Sequence, residues 1–186
     1  MGHPLTDDDT LTLEEYLALP ESEYRLELSR GRLIREPAPA TFHGRIQVRL
    51  AIALGLYEER SNAGIAIDSA AFILSVEERT VRVPDLSFVL RDRIPREGYP
   101  SGLWRIAPDL TVEILSPANR PQDAQEKVVD YLEFGVRLIW IVDPEGRSAT
   151  VYRPRTDPFI VREGESLDGG DVLPGLIIAL EGLFRP

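Results

Sequence analysis

The sequence predicts an α/β protein with a mixed α+β sheet and flanking helices, and three observations support this fold class. Apolar residues recur every three or four positions over 41–60, which predicts a long helix. Alternating or continuous apolar segments on either side predict strands. A strand, a helix and a strand follow one another over 109–143, which predicts a βαβ crossover. With 186 residues, 43% of them hydrophobic, we expect one domain over 1–186.

The first forty residues predict a short helix followed by a hairpin. Thr12 is suited to cap the helix, Glu15 stands three positions later as in a capping box, and Pro20 ends it. The segment 24–36 alternates polar and apolar residues around Gly31, which is typical of a β-hairpin.

The remaining elements follow the same logic. Segments 64–76 and 81–90 are predicted strands, the second broken by Pro84, which cannot donate to a ladder. We expect a strand at 109–116, a helix at 121–134 and a continuously apolar strand at 136–144, buried on both faces. Two further apolar segments predict a closing hairpin or meander: 148–154 and 158–163. One mostly central sheet should carry the helix at 41–60 on one side and the helix at 121–134 on the other.

Composition excludes several classes of site. The chain has no cysteine, so disulfides, thiolate metal sites and cysteine nucleophiles are excluded. A net charge of −10 argues against broad electrostatic binding of nucleic acid, which normally requires a basic surplus. A local basic cleft is compatible with this charge, and its candidates are Arg45, Arg49, Arg91, Arg93, Arg96 and Arg105.

Composition also bears on location and source. The polar, acidic start lacks the apolar stretch of a signal peptide, and no apolar run is long enough to span a bilayer. We therefore expect a cytoplasmic protein without a membrane partner. Fifteen prolines, no cysteine and one methionine fit a thermophile source, although a GC-rich genome would also favour arginine over lysine.

Two carboxylates and one lysine form the candidate site. Asp85 and Glu113 are predicted within strands among apolar neighbours, where a carboxylate is costly unless it is paired, hydrogen-bonded or bound to a metal. Carboxylates on adjacent strands can hold a hard divalent cation such as Mg²⁺. Lys127, the single lysine, follows on the next helix. Its compact ammonium suits a developing phosphate charge, and the structural alternative is an ion pair with Asp123 one turn earlier.

The motifs "VPDLSFV", "VEILSP", "D-x-x-x-K-x-x-x-Y" and "GV…WIVDP", with "LELSRGRL" and "FHGRI", are similar to the Uma-type family of putative restriction endonucleases. That family belongs to the PD-(D/E)XK nuclease superfamily. The resemblance implies a restriction-endonuclease-like core and a phosphodiester site dependent on Mg²⁺ or Mn²⁺.

The resemblance also implies roles for individual residues. Asp85 and Glu113 would be the metal ligands, and Lys127 would replace the lysine that the superfamily usually carries two residues after the glutamate, where this chain has Leu115. Glu27 and His43 match the family's N-terminal acidic position and helix-opening histidine, and join the catalytic candidates. The chain departs from the pattern with Arg30 in place of aspartate before the hairpin glycine, and with Leu138-Ile139 in place of a Glu-Tyr pair.

Three functions are compatible with these residues. The first is a metal-dependent endonuclease acting on DNA. The second is a catalytically weak nuclease-fold protein that acts as a nucleic-acid- or protein-binding module. The third is a glycoside hydrolase using the paired acids. Glu27 and His43 also have ordinary alternatives, as an outward hairpin residue and a first-turn helix residue. Because cutting both strands of DNA requires two sites, we expect a homo-oligomer, most simply a dimer.

Overall fold

The computed structural model describes residues 10–36, 40–116 and 121–185. The acidic N-terminal segment considered above lies, up to residue 9, outside these ranges. The described chain has a mixed α+β fold, and none of its helices combines the length and apolar character needed to cross a membrane. The helices are α1 (Leu13–Leu17), α2 (Thr41–Ser61), α3 (Pro121–Glu133) and α4 (Leu180–Phe184).

The strands of the described residues are short, with three to six residues each. They are β1 (Arg25–Ser29), β2 (Arg32–Glu36), β3 (Gly64–Asp68), β4 (Phe72–Ser75), β5 (Thr80–Arg82), β6 (Leu86–Leu90), β7 (Leu110–Ile114), β8 (Leu138–Asp143), β9 (Ser148–Tyr152), β10 (Phe159–Arg162), β11 (Ser166–Asp168) and β12 (Ile177–Ala179).

A six-stranded sheet in the order β10-β9-β8-β7-β6-β3 forms the centre of the fold. Strands β7 and β8 pair in parallel through the crossover helix α3, which confirms the predicted βαβ unit. The other neighbours in this sheet pair antiparallel, including the predicted closing meander β8-β9-β10.

Two helices cover opposite faces of this sheet, as predicted. Helix α2 buries one face, in a core that combines Ile46, Leu50, Leu54 and Tyr57 with Val112, Ile114, Leu138, Trp140 and Val142. Helix α3 covers the other face, where Val128 and Tyr131 pack with Ile139 and Ile141. Because β8 is buried on both faces, its sequence is nearly continuous in apolar residues, as predicted, whereas β7 carries the buried polar residues Thr111 and Glu113.

The central sheet does not include every predicted strand, because segments 64–76 and 81–90 each divide into two strands. The chain leaves the six-stranded sheet after β3 at Ser69, whose φ of 49° is incompatible with a continuing strand. It forms β4 and β5 in a separate four-stranded sheet of order β2-β1-β5-β4, and then returns through Pro84 to β6. The short hairpin β11-β12 and helix α4 were not predicted, because strands of three residues and a helix of five are too short to show a hydrophobic period.

Substitution of Gly64 by alanine should destabilise the protein, because an added Cβ would lie 2.1 Å from the Val89 carbonyl oxygen and force β3 away from β6. We expect a loss of about 1–3 kcal/mol in the free energy of unfolding, measured by urea denaturation. Gly44→Ala in α2 is the control, since its Cβ meets no atom within 4 Å and alanine favours a helix. Equal effects of the two substitutions would contradict the steric explanation.

Candidate active site

The two predicted metal-binding carboxylates lie side by side at one end of β6 and β7. Asp85 immediately precedes β6, and Leu86 pairs with Val112 of the neighbouring strand, so the register places Asp85 opposite Glu113. The backbone N–H of Ile114 donates to Asp85 Oδ2 at 2.8 Å. Asp85 is therefore in the connection between the two sheets, one residue before β6, whereas the sequence predicted it within a strand.

Lys127 reaches the same point from the crossover helix. Helix α3 lies over the face of the sheet to which Glu113 points, and Lys127 Nζ donates to Glu113 Oε2 at 3.0 Å. Only 5% of Lys127 is exposed. A surface ion pair with Asp123 therefore does not account for this lysine.

Two more carboxylates surround the Lys127 ammonium. Glu27 Oε1 of β1 lies 3.1 Å from Nζ, and Glu36 Oε1 at the end of β2 lies 2.6 Å from it. Glu27 is fully buried, so the alternative of an outward-facing hairpin residue is wrong. Glu36 was not identified from the sequence, because a glutamate at a strand end is ordinary there.

A buried arginine holds Glu27 in place from the other side. Arg82 Nη1 donates to Glu27 Oε2 at 2.8 Å, and the backbone N–H of Val83 donates to Glu27 Oε1 at 2.9 Å. Arg82 also pairs with Asp130 of α3 at 2.6 Å. Glu27 thus links Lys127 to a second ionic cluster. Sequence reasoning missed Arg82 and Asp130. Arg82, a charged residue between two valines at a strand, carries the same signal that identified Glu113, whereas Asp130 on α3 carries none.

Asp85 is held by two basic side chains. Arg25 Nη1 of β1 donates to Asp85 Oδ1 at 2.7 Å, and His43 Nε2 lies 3.0 Å from Asp85 Oδ2. His43 is the third residue of α2 and is buried, so the structure brings this predicted residue to the site. Burial raises the pKa of Asp85, but His43 and Arg25 together outweigh it and lower that pKa to about 2. Asp85 is therefore ionised at neutral pH.

Glu113 has the opposite electrostatic environment. Burial raises the pKa of Glu113 most, Lys127 opposes this, and Asp85, Glu27 and Glu36 add to it, so the pKa reaches about 8. The Tyr131 hydroxyl donates to Glu113 Oε1 at 2.5 Å and fixes the carboxyl group. Tyr131 is the last residue of the D-x-x-x-K-x-x-x-Y motif, and its spacing from Lys127 puts both side chains on one face of α3.

The charged side chains line a cleft of about 50 Å³ between β2, α2, β7 and α3. Its described lining combines basic and acidic groups: Arg25, His43 and Lys127 with Glu36, Asp85, Glu113 and Asp123. The six arginines expected to form a basic cleft do not line it among the described residues. Arg49 donates to the Leu183 carbonyl, Arg91 to the Asn62 carbonyl, and Arg93 pairs with Asp109.

The donor set fits a hard divalent cation of low protein coordination. Among the described residues, no three Asp, Glu or His side chains are grouped to hold a metal ion. Mg²⁺ commonly takes one or two carboxylates and retains several waters, and the carboxylates of Asp85 and Glu113 both line this cleft. Burial is the main cause of the raised pKa of Glu113, and repulsion from Asp85, Glu27 and Glu36 adds to it. A cation bound here would relieve that repulsion.

The sequence profile of the Uma2 family, described as a putative restriction endonuclease, matches residues 13–181. The chain belongs to the Uma2 family. Its fold is similar to the crystal structure of a putative nuclease belonging to DUF820 from Anabaena variabilis ATCC 29413, with a TM-score of 0.84 and 27% identity over 94% of this chain and 97% of that one. No match was found among curated proteins. Family and fold are those of a restriction-endonuclease-like, nuclease-type hydrolase.

The departures of this Uma2 protein from the family pattern leave the cleft intact. Arg30 has a φ of 50°, next to Gly31 at 84°, and so occupies a tight turn that aspartate also favours. Its guanidinium reaches α3, where it pairs with Glu133 at 2.5 Å and Asp130 at 3.3 Å. Leu138 and Ile139 point into the cores on opposite faces of the sheet.

Stability of the Uma2 protein without metal should depend on pH through Glu113. A carboxyl group whose folded pKa of about 8 exceeds its unfolded value stabilises the fold fully below the unfolded pKa, and this stability is lost as pH rises through 8. Glutamine has no ionisable carboxyl group, so Glu113→Gln lacks this contribution to the pH dependence of stability. We therefore expect the parent to lose stability relative to Glu113→Gln between pH 5 and 9, by on the order of a few kcal/mol. Urea unfolding with a chelator measures the difference, and a constant difference across this range would contradict the assignment.

Proposed function

We propose that this Uma2 protein is an endonuclease that hydrolyses DNA phosphodiester bonds with Mg²⁺ or Mn²⁺. One observation carries the proposal: Lys127 Nζ lies 3.0 Å from Glu113, while Asp85 accepts a hydrogen bond from the backbone N–H of the residue after Glu113. Three side chains from different parts of the fold therefore meet at one cleft. Two of them are carboxylates that can hold a metal ion, and the third is an ammonium that can stabilise charge on a phosphate.

Asp85 and Glu113 are the residues that would hold the cation. When bound, Mg²⁺ or Mn²⁺ would polarise a phosphoryl oxygen and lower the pKa of a coordinated water. Asp85 presents an ionised carboxylate at all physiological pH values, since its pKa is about 2. Glu113 releases its proton more readily once a positive charge is close to it. Tyr131, Arg25 and His43 position these carboxylates through direct contacts with their oxygens.

Lys127 acts as a hydrogen-bond donor and not as a base. Burial works against its charge, but Glu113, Glu27 and Glu36 outweigh burial and raise the pKa of Lys127 well above its usual range. In hydrolysis, the oxygen of a water bonds to phosphorus and loses a proton, the bond from phosphorus to the leaving oxygen breaks, and the leaving oxygen gains a proton. A permanent ammonium beside the cleft can orient the water and stabilise the charge that develops on the phosphate.

The second candidate, a catalytically weak binding module, is favoured because the basic side chains in the cleft are engaged with its carboxylates. Of the six arginines considered from the sequence, none lines the described part of the cleft, and phosphate contacts normally supply affinity. A cleavage assay decides between the two functions. It should use supercoiled plasmid, linear duplex, single-stranded DNA and RNA, each with Mg²⁺, Mn²⁺ or a chelator. Binding without metal-dependent cleavage of any substrate would support the module.

A glycoside hydrolase has less support. Sugar-binding clefts commonly present aromatic platforms, and the described lining of this cleft includes no Trp, Tyr or Phe. The buried ammonium next to Glu113 also has no role in the two-carboxylate mechanism.

Affinity for Mn²⁺ should depend on both proposed ligands. We expect Asp85→Asn and Glu113→Gln each to lower the affinity at least tenfold, about 1.4 kcal/mol, because each removes one anionic oxygen donor. Titration calorimetry measures this without any substrate. Glu126→Gln is the matched control, since Glu126 lies on α3 but pairs with Arg32 at the surface. If both cleft variants bind Mn²⁺ as tightly as the control, the metal site lies elsewhere.

Substitution of Lys127 by arginine should separate a catalytic ammonium from a structural charge. The guanidinium is larger and planar, so it would place its charge away from the water and the phosphate. We expect cleavage to slow at least tenfold, on the order of 1.4 kcal/mol of barrier. The rate is measured with saturating Mn²⁺, and thermal unfolding checks that the fold is retained. A Lys127→Arg protein that folds and cuts at the parental rate would remove Lys127 from the mechanism.

A further inference from the structure

Helix α2 has a second apolar face that no element of the described residues covers. One face of the helix packs on the sheet through Ile46, Leu50 and Leu54, which are fully buried. The opposite face exposes Val48, Ile52 and Leu56 by 59, 57 and 53%. Three large aliphatic side chains at four-residue spacing form a continuous apolar stripe, which is unusual on a helix that faces solvent.

Two exposed charges of opposite sign border this stripe. Arg45 precedes Val48 by three residues, and Glu59 follows Leu56 by three. At 100° per residue, all five side chains lie within about 40° of Ile52 around the helix axis. Within the described part of the chain, neither Arg45 nor Glu59 has an ion-pair partner. Along the helix, the outer face therefore has a basic residue, three apolar residues and an acidic residue in that order, with Ile52 at its centre.

We propose that this face is an interface between two copies of the chain, in which α2 packs antiparallel on α2 of the second copy about a twofold axis at Ile52. Reversing the helix about Ile52 superimposes Val48 on Leu56 and Arg45 on Glu59. Each apolar side chain then meets an apolar side chain, and each end of the contact gains an Arg45–Glu59 ion pair. A twofold axis uses the same patch on both copies, which is what this self-complementary pattern provides.

The glycine at position 55 supports close contact at this face. Gly55 is within α2, and a Cβ added there would meet no atom within 4 Å, so packing within the chain does not require glycine. Glycine disfavours the interior of a helix relative to alanine. One turn after Ile52, its missing side chain lets a second helix approach the stripe, as small residues do at close helix crossings.

A second copy suits this face better than a nucleic acid does. A polyanion would find three aliphatic side chains and a glutamate around a single arginine, so phosphate contacts would be few. The antiparallel arrangement also leaves both catalytic clefts free. His43 is nine residues from Ile52, so the two copies of His43 are separated by about 27 Å along the helix axis.

The first test measures the oligomeric state directly and requires no nuclease activity. By analytical ultracentrifugation at micromolar concentration, the parent should be a dimer. Ile52→Glu puts two like charges at the axis and should weaken the dimer at least a hundredfold. A monomeric parent, or an Ile52→Glu protein that remains a dimer, would overturn the proposal. Because the readout is mass, failure here leaves the proposed nuclease function standing.

Charge exchange tests the antiparallel register. Arg45→Glu opposes Glu59 of the second copy, and Glu59→Arg opposes Arg45, so each should weaken the dimer about tenfold. The double variant Arg45→Glu/Glu59→Arg restores opposite charges at both ends and should recover parental dimerisation. If the double variant loses as much dimerisation affinity as the two single variants lose together, the register is wrong.

A cysteine at the axis provides a test that does not depend on weakening the dimer. The chain has no cysteine, so Ile52→Cys introduces a unique thiol that faces its own copy across the axis. Mild oxidation should form a disulfide-linked dimer much faster than in Val76→Cys, where the side chain is equally exposed on a turn far along the chain. Equal rates of cross-linking for the two variants would overturn the interface. Circular dichroism confirms that each variant is folded.

Discussion

The buried ammonium of Lys127 is the interaction on which the candidate site depends. Its Nζ lies within 3.1 Å of three carboxylates, which belong to Glu27, Glu36 and Glu113. A buried charge is tolerable only if it is paired, and two buried acids and a half-buried one around a single base are in turn unfavourable unless further charges balance them. Arg82 balances Glu27, and Arg25 lies 3.7 Å from Glu36. Glu113 is buried and faces Asp85, Glu27 and Glu36, so its pKa rises although Lys127 opposes the shift.

The division of the chain between two sheets creates this arrangement. The small sheet supplies Glu27, Glu36 and Arg25 from the β1-β2 hairpin, while Glu113 belongs to the central sheet. Asp85 lies where the chain passes from one sheet to the other. Its side chain joins both, because it contacts Arg25 of β1 and the backbone N–H that follows Glu113. The cleft is thus a junction between layers, which lets several charges be buried without interrupting either hydrophobic core.

Helix α2 connects the cleft, the core and the outer surface. Its first turn carries His43 against Asp85, its inner face packs on the central sheet, and its outer face has the self-complementary stripe around Ile52. A shift of α2 along its axis would therefore move His43 relative to Asp85. If two copies associate through the outer face, the contact also fixes the helix that positions one side of each cleft. Such coupling would follow from rigid helix geometry alone.

Local patterns in the sequence determined the elements and the principal charged residues. The capping box at Thr12, the long helix from Thr41 to Ser61 and the βαβ crossover form as predicted, because caps and apolar periodicity act over a few residues. Asp85 and Glu113 were conspicuous because charges in apolar segments require partners, and Lys127 because it is the single lysine. Which partners they have was decided only by tertiary structure. Glu36, Arg25 and Arg82 come from a second sheet whose pairing depends on contacts distant in sequence. No local hydrophobic pattern predicts that the chain crosses between the two sheets at Asp85, which is what brings these residues together.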